Sequence, residues 1–258
     1  MRLVLISIAT AALLSLVLLS IRFWGLSQTA DDFDHPWFHI QTPWMIVPFE
    51  TADPESRSVL EKKQALPNAM IWIYVYDSLE RNLFATSTVI APSLQPHTDA
   101  ELSQLGRPLR DVLGRFQGKN LILDIRSNED SIDLQISDLI GKSGNGRIMI
   151  QSDYDVILRS IKKLQPLWLY GSSQAERVRF TTFDSLLIVT ATTFKGDVYL
   201  GPFKQKGILL LTESIFKELK RRGKKVIIGP LESKDELEQA LRLGADGIVM
   251  EKPVLLNL

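Results

Sequence analysis

The sequence predicts an α/β fold: a small (β/α)8 barrel behind an N-terminal transmembrane helix. Three observations carry this. Short apolar runs alternate with amphipathic segments of 10–15 residues along the chain from Trp44, a pattern of βα units around a parallel sheet. Seven or eight such units in about 215 residues suit a small closed barrel, whose usual lower size is about 200. An open doubly wound sheet is the alternative, weakened because no Gly-x-Gly-x-x-Gly follows any of the strand-like runs. The third observation is the uncharged stretch LVLISIATAALLSLVLLSI at residues 3–21. At about 1.5 Å per residue it extends roughly 28 Å, close to the ~30 Å of a bilayer core.

That stretch defines the first of three segments, a signal anchor over 1–24. A cleaved signal usually has a shorter apolar run and a small-x-small site. The nearest candidate, Gly25-Leu26-Ser27, follows Arg22, Phe23 and Trp24. Arg2 and the terminal amine favour a cytoplasmic N-terminus, with the folded part periplasmic or extracellular. Residues 25–42 read as a juxtamembrane linker that begins to pack near Trp37. His35 and His39 have the spacing of helical metal ligands, but Pro36 opposes a helix through both, and a linker pair is the simpler reading.

The barrel segment, 43–258, opens with the strand-like WMIVPF (44–49) and a helix-like PESRSVLEKKQAL (54–66). AMIWIYVY (69–76) follows as a strand, with Met70, Trp72, Tyr74 and Tyr76 on one face and Ile71, Ile73 and Val75 on the other. LFATSTVIA (83–91), NLILDIRS (120–127), RIMIQS (147–152), PLWLYG (166–171) and SLLIVTA (185–191) also read as strands. RPLRDVLGRF (107–116), SIDLQISDLIG (131–141, stopping at Gly141) and DYDVILRSIKKL (153–164, started by Asp153) read as helices. Thr212 caps ESIFKELKRR, which Gly223 ends; KKVIIG (224–229) is a strand. Ser233 and Glu236 form a capping box for a helix to about Leu243, and ADGIVM (245–250) is the last strand.

Lys plus Arg and Asp plus Glu each number 30, so the chain carries no basic excess for nucleic acid. It has no Cys, which removes disulfides, thiolate metal sites and Cys nucleophiles.

The C-terminal half, LTESIFKELKRRGKKVIIG then SKDELEQALRLGADGIVMEKP, resembles the ending of glycerophosphodiester phosphodiesterases. Gly244, Asp246, Gly247, Ile248 and Pro253 match that family's pattern, while Met250 and Glu251 replace its Thr and Asp. LGRPLRDVL, LILDIRS, IMIQSDYDVILRSIKKLQPL and Pro54-Glu55-Ser56 resemble further motifs, in order, over residues 44–254. The resemblance implies a TIM barrel and phosphoric diester hydrolysis, with two histidines as acid and base around a hard divalent cation held by carboxylates. The family's His-Arg-Gly, Glu-x-Asp and His-Asp are missing; neither His-Arg nor Glu-x-Asp occurs anywhere in the chain. Trp72 and Tyr74 stand at or next to the Glu-x-Asp positions, and Phe84–Val89 holds only hydroxyls where His-Asp is expected.

Asp124, Arg126 and Ser152 survive and are the candidate ligand-binding residues; no catalytic and no metal residue is assigned. Asp124 and Arg126 could be the remnant of an anion or metal site or an ion pair plugging the mouth. Ser152 could touch a ligand, with Asp153 capping a helix. The rings are expected to fill the interior and exclude a hydrated cation. No cofactor is expected, the alternative being Ca²⁺ or Mg²⁺ held weakly at Asp124. The expected partners are the membrane through residues 3–21, a glycerophosphodiester or lipid headgroup, or an envelope protein, and not nucleic acid. The expected function is an inactive, membrane-anchored binding or assembly domain; the alternative is a phosphodiesterase rebuilt on Glu50, Glu55, Asp77 and Asp124. The basic run KELKRRGKK (217–225) could touch anionic lipid or simply suit a helix end.

Overall fold

The computed structural model describes residues 2–26, 34–40, 42–49, 69–90, 97–143, 147–205, 207–231 and 233–250. Helix α1 (Arg2–Leu26) leads to a 3-10 turn (Pro36–His39) and strand β1 (Trp44–Pro48). β2 (Ala69–Asp77) is followed by β3 (Leu83–Thr86), α2 (Asp99–Leu105), β4 (Gly106–Pro108) and α3 (Leu109–Arg115). Then come β5 (Asn120–Ile125), α4 (Ile132–Ser143), β6 (Ile148–Ser152), α5 (Asp155–Leu164), β7 (Leu169–Tyr170) and α6 (Gln174–Ser185). A 3-10 turn (Val189–Ala191) precedes β8 (Val198–Gly201) and the small hairpin β9 (Lys204–Gln205) and β10 (Ile208–Leu209). The chain continues with α7 (Glu213–Arg221), β11 (Lys225–Ile228), α8 (Lys234–Leu243) and β12 (Gly247–Val249).

Eight strands run parallel in the order β7-β6-β5-β2-β1-β12-β11-β8. The last seam joins β7 to β8 through single bonds and side chains. The Asp197 N–H donates to the Tyr170 carbonyl at 2.8 Å, and the Tyr170 N–H to Asp197 Oδ2 at 3.0 Å. The Ser172 hydroxyl donates to the Leu200 carbonyl at 3.2 Å and accepts its N–H at 3.0 Å. The result is a nearly closed (β/α)8 TIM barrel, the first of the two folds that the alternation of the sequence allows.

Strand alternation sorts the core into two shells. Met70, Trp72, Tyr74 and Tyr76 point inward with Ile122, Met149, Leu169, Val198, Leu200, Ile227 and Val249. Ile71, Ile73, Val75, Leu121, Leu123, Ile125, Ile148 and Ile150 point outward under the helices. At the N-terminal end, Trp37 from the first 3-10 turn stacks edge-on against Trp44 at 6.0 Å and joins the interior cluster. His35 and His39 sit at the two ends of that turn: His35 Nδ1 accepts the Trp37 N–H, and His39 pairs with Asp34.

Several expected elements move. Residues 83–86 pair antiparallel to β2 and lie outside the eight-strand ring. SLLIVTA is not a strand: α6 runs to Ser185, Leu187 takes a left-handed φ of 61°, and 189–191 form a 3-10 turn. The barrel strand of that region is Val198–Gly201. A short apolar run alone does not distinguish a strand from a helix end. α4 continues past Gly141 to Ser143, and α5 starts at Asp155 with Tyr154 as its N-cap residue, so Asp153 does not cap it. The expected caps Thr212 and Ser233 do accept N–H bonds from Ile215 and Glu236. Asp246, matched by the family resemblance, is structural: it accepts from the Val226 N–H at 2.8 Å and from Lys220 at 2.7 Å. The expected helix at 54–66 and the motif Pro54-Glu55-Ser56 lie outside the described residues.

Asp197 also pairs with Lys162 at 2.9 Å, so one buried carboxylate serves the seam and an outer helix. Asp197→Ala should lower the unfolding free energy of the full chain by about 2–4 kcal/mol in urea, because a buried N–H and an ammonium lose their acceptor. Lys142→Ala, which breaks an exposed pair with Asp138, should lower it by less than ~0.5 kcal/mol.

Candidate functional site

The interior side chains form layers. Trp72, Ile122, Met149 and Leu169 lie in register in one, and Tyr74, Asp124 and Gln151 in the next toward the C-terminal ends of the strands. Among these central strands polarity enters at the second layer, at the end where barrels of this kind place their sites. There a cavity of about 490 Å³ opens, lined by Trp72, Tyr74, Asp124, Arg126, Gln151, Asp153, Arg177, Lys204 and Glu236 among others. The expectation that the rings fill the mouth is therefore corrected: Trp72 and Tyr74, 5.9 Å apart, form its wall and leave it open. A groove of about 520 Å³ lies elsewhere, lined by residues including Arg81, Asp99, Arg110, Asp111 and Asp138. It lies outside the eight-strand ring, against the β2–β3 turn, α3 and α4, and the mouth at the centre of the ring is the better candidate.

An alternating chain of charges crosses the mouth. Arg126 donates to Asp124 Oδ2 at 2.5 Å and to Asp153 Oδ2 at 3.1 Å. Arg177 donates to Asp153 Oδ1 at 2.6 Å and to the Ser172 carbonyl at 2.8 Å. The Arg126 guanidinium lies 5.2 Å from the centre of the Tyr74 ring, which favours its charge. Gln151 donates to the Ser172 carbonyl at 3.0 Å, and a side chain at Gly171 would strike its Oε1 at 1.8 Å, so this placement requires glycine there. Burial raises the Asp124 carboxyl above the ordinary range, and Arg126 pulls against this without reversing it. Burial opposes the Arg126 charge in turn, but Asp124 and Asp153 more than restore it.

Of the candidates, Asp124 and Arg126 come together as an ion pair that lines the cavity. Ser152 does not join them: alternation puts it on the outer side of β6, fully buried, donating to the Ile125 carbonyl and accepting the Tyr154 N–H. Arg177 and Lys204 were not singled out by their sequence context; Arg177 reaches the mouth from the first turn of α6, which only the fold reveals. Asp77 follows Tyr76 on the outer face of β2 and pairs with Arg81, away from Asp124. Glu50 and Glu55 lie outside the described residues. Of the three histidines, His35 and His39 are at the opposite end, and His97 is buried near the β2–β3 turn without lining the cavity.

A hard cation needs several free oxygens. Asp124 has one oxygen on Arg126, and Asp153 has both oxygens on arginines. No group of three or more His, Asp or Glu suited to a metal occurs among the described residues. Among the described residues the donor set does not fit Ca²⁺ or Mg²⁺.

No protein-family model matches the chain, and no curated protein is similar to it. Solved structures are. A glycerophosphodiester phosphodiesterase from Parabacteroides distasonis superposes with TM-score 0.61 at 13% identity, over 82% of this chain and 93% of its own. One from Agrobacterium tumefaciens gives 0.58 at 10%, over 83% and 97%. A phosphodiesterase from Oleispira antarctica, in complex with the product sn-glycerol-3-phosphate, gives 0.55 at 14%, over 81% and 92%. The chain shares the TIM-barrel fold of these phosphodiesterases. At these identities the likeness is one of architecture, and the chemistry of the mouth must be read from its own side chains.

Arg126→Met strands the buried Asp124 carboxyl and should cost about 3 kcal/mol in urea unfolding at pH 8. The cost should shrink at pH 5. The folded variant then keeps a proton on Asp124 that the unfolded chain releases at lower pH, so stability falls as pH rises through the raised Asp124 range. Asp124→Asn combined with Arg126→Met should recover most of the loss.

Proposed function

We propose that the chain is a membrane-anchored binding protein whose barrel mouth takes a phosphodiester headgroup without hydrolysing it and without a metal. The observation that carries this is the pairing at the mouth: the carboxylates Asp124 and Asp153, in the position where hydrolysis would need a cation cage, are occupied by Arg126 and Arg177. Two histidines for acid–base work are absent from the cavity lining. What remains favours recognition. Arg126, Arg177 and Lys204 offer positive charge to a phosphate, against Asp124, Asp153 and Glu236, so the lining is balanced and suits a zwitterionic ligand. Trp72 and Tyr74 supply an aromatic wall, and buried Trp72 Nε1 and Asp124 Oδ1 have no protein partner.

The anchor is α1. Its stretch Ile6–Leu26 is long and apolar enough to cross a membrane, and none of it is buried against the barrel except near its end. A signal sequence passes the same test. The reading adopted here is a single uncleaved pass with the N-terminus cytoplasmic and the barrel on the periplasmic or extracellular side, where binding or assembly at the envelope would take place.

The full chain in detergent micelles, titrated calorimetrically with glycerophosphocholine, should bind it and release no choline with or without added Ca²⁺ or Mg²⁺. Arg126→Ala and Arg177→Ala should each weaken binding by roughly 10- to 100-fold, the size of a lost charge-assisted hydrogen bond. Hydrolysis that depends on the added cation and disappears in Asp124→Ala would set the proposal aside.

A further inference from the structure

The anchor and the mouth sit at opposite ends of the barrel. Only the last turn of α1 touches the folded part: from Ile6 to Trp24 its described side chains are exposed or half-exposed, and Gly25 is buried. Gly25 rests directly on the Val189–Ala191 turn, since a Cβ there would lie 2.3 Å from the Thr190 carbonyl. The Thr190 hydroxyl donates to the Arg22 carbonyl at 3.0 Å, and Arg221 donates to the carbonyls of Gly25 and Leu26 at 3.4 Å. The carbonyls of Gly25 and Leu26 belong to the last turn of α1, where a helix leaves its carbonyls without intrahelical donors. Beneath them, Glu218 accepts from Arg221 at 2.7 Å and from Arg222 at 2.6 Å, and Arg222 donates to the carbonyls of Thr190 at 2.7 Å and Thr192. One buried carboxylate thus ties both sides of the joint. Burial alone would raise Glu218; the bonds from Arg221 and Arg222 override it and hold it below the usual range.

The position of this joint follows from chain direction. The 189–191 turn leads into the start of β8, and Arg221 and Arg222 end the helix that leads into the start of β11. Both lie at the N-terminal end of the barrel, the end that Trp37 closes. The mouth lies at the C-terminal end, on the order of 20 Å away along a six-residue strand. Around the joint several large apolar side chains are exposed. Leu186 and Leu187, just before the docked turn, are 53% and 73% exposed, and Phe23 and Trp24, beside Gly25, are 68% and 62% exposed. The left-handed φ of Leu187 turns it out of the helix path. In the nearby basic run these charges are matched by carboxylates: Lys217 pairs with Glu213, Lys220 and Lys225 with Asp246, and Arg221 and Arg222 with Glu218.

We propose that the barrel stands on the bilayer on its N-terminal end, with Leu186 and Leu187 seated in the interface beside Phe23 and Trp24, and the mouth facing away into water. The inference rests on α1 being retained as the anchor. The contact is apolar, so it needs no anionic lipid. The mouth then draws its ligand from the aqueous side, as a free headgroup, and not from lipid of the leaflet beneath it.

The chain has no Cys, so single thiols can be placed cleanly. The full chain carrying Leu187→Cys, or Val89→Cys at the mouth, whose cavity Val89 lines, is labelled with an environment-sensitive fluorophore. Each is reconstituted in phosphatidylcholine nanodiscs containing a headgroup-region spin-labelled lipid. The Leu187 label should be quenched several-fold and the Val89 label should stay at the level of spin-free discs. Adding Gly25→Leu, which cannot dock on Thr190, should abolish the quenching at 187 while the chain stays in the disc. Quenching at 89 and not at 187, at neither, or undiminished in Gly25→Leu overturns the orientation. A chain that elutes apart from the discs, or whose mass lacks residues 3–21, overturns the anchor reading itself and is told apart by that mass and elution.

Discussion

The sharing of one guanidinium between two carboxylates governs this barrel mouth. Arg126 sits between Asp124 and Asp153, and Arg177 holds the far side of Asp153. Each charge in that chain satisfies its neighbours in a place where burial would otherwise make it costly. The same bonds take up the oxygens that a divalent cation would need. An arrangement that is stable as protein is for that reason a poor metal site, and the layer beneath it, Trp72, Ile122 and Met149, offers rings and aliphatic groups only.

This separates architecture from chemistry. The eight strands, their order and their closure superpose on solved phosphodiesterases. The mouth lies at the C-terminal ends of the strands, its carboxylates are paired with arginines, and a cavity of about 490 Å³ opens above the rings. Open space, balanced charge and an aromatic wall are properties of a receptor as much as of an enzyme. The far end of the barrel has a different task. There Trp37 seals the interior, and the Glu218–Arg221–Arg222 cluster grips the end of α1. The open cavity and the docking of α1 lie at different ends of one frame.

Much of the frame was legible in the sequence because it rests on periodicity. The aromatic stripe of β2 could be assigned to the interior from its two-residue repeat, and the strands at 120–125, 148–152, 225–228 and 247–249 from apolar runs bounded by glycine and caps. The run at 185–191 misled because its apolar residues serve a helix end and the joint with α1, a tertiary contact no local pattern records. Val198–Gly201 was missed because the strand is short and its closure depends on Asp197 and Ser172 side chains. At the mouth, the Asp124–Arg126 pair followed from a two-residue spacing on one strand. Arg177 did not, because it arrives from a helix more than 50 residues later. Ser152 was a candidate for touching a ligand, and a strict count of alternation from Met149 and Gln151 places it outward.

The central claim, that the arginines and not a cation occupy the mouth carboxylates, is tested most directly by calcium binding to the full chain in equilibrium dialysis. The expected result is no stoichiometric site tighter than about 1 mM, the weak end of protein calcium sites, and no difference between the native chain and Asp124→Asn. One tightly held calcium per chain that is lost in Asp124→Asn would contradict it.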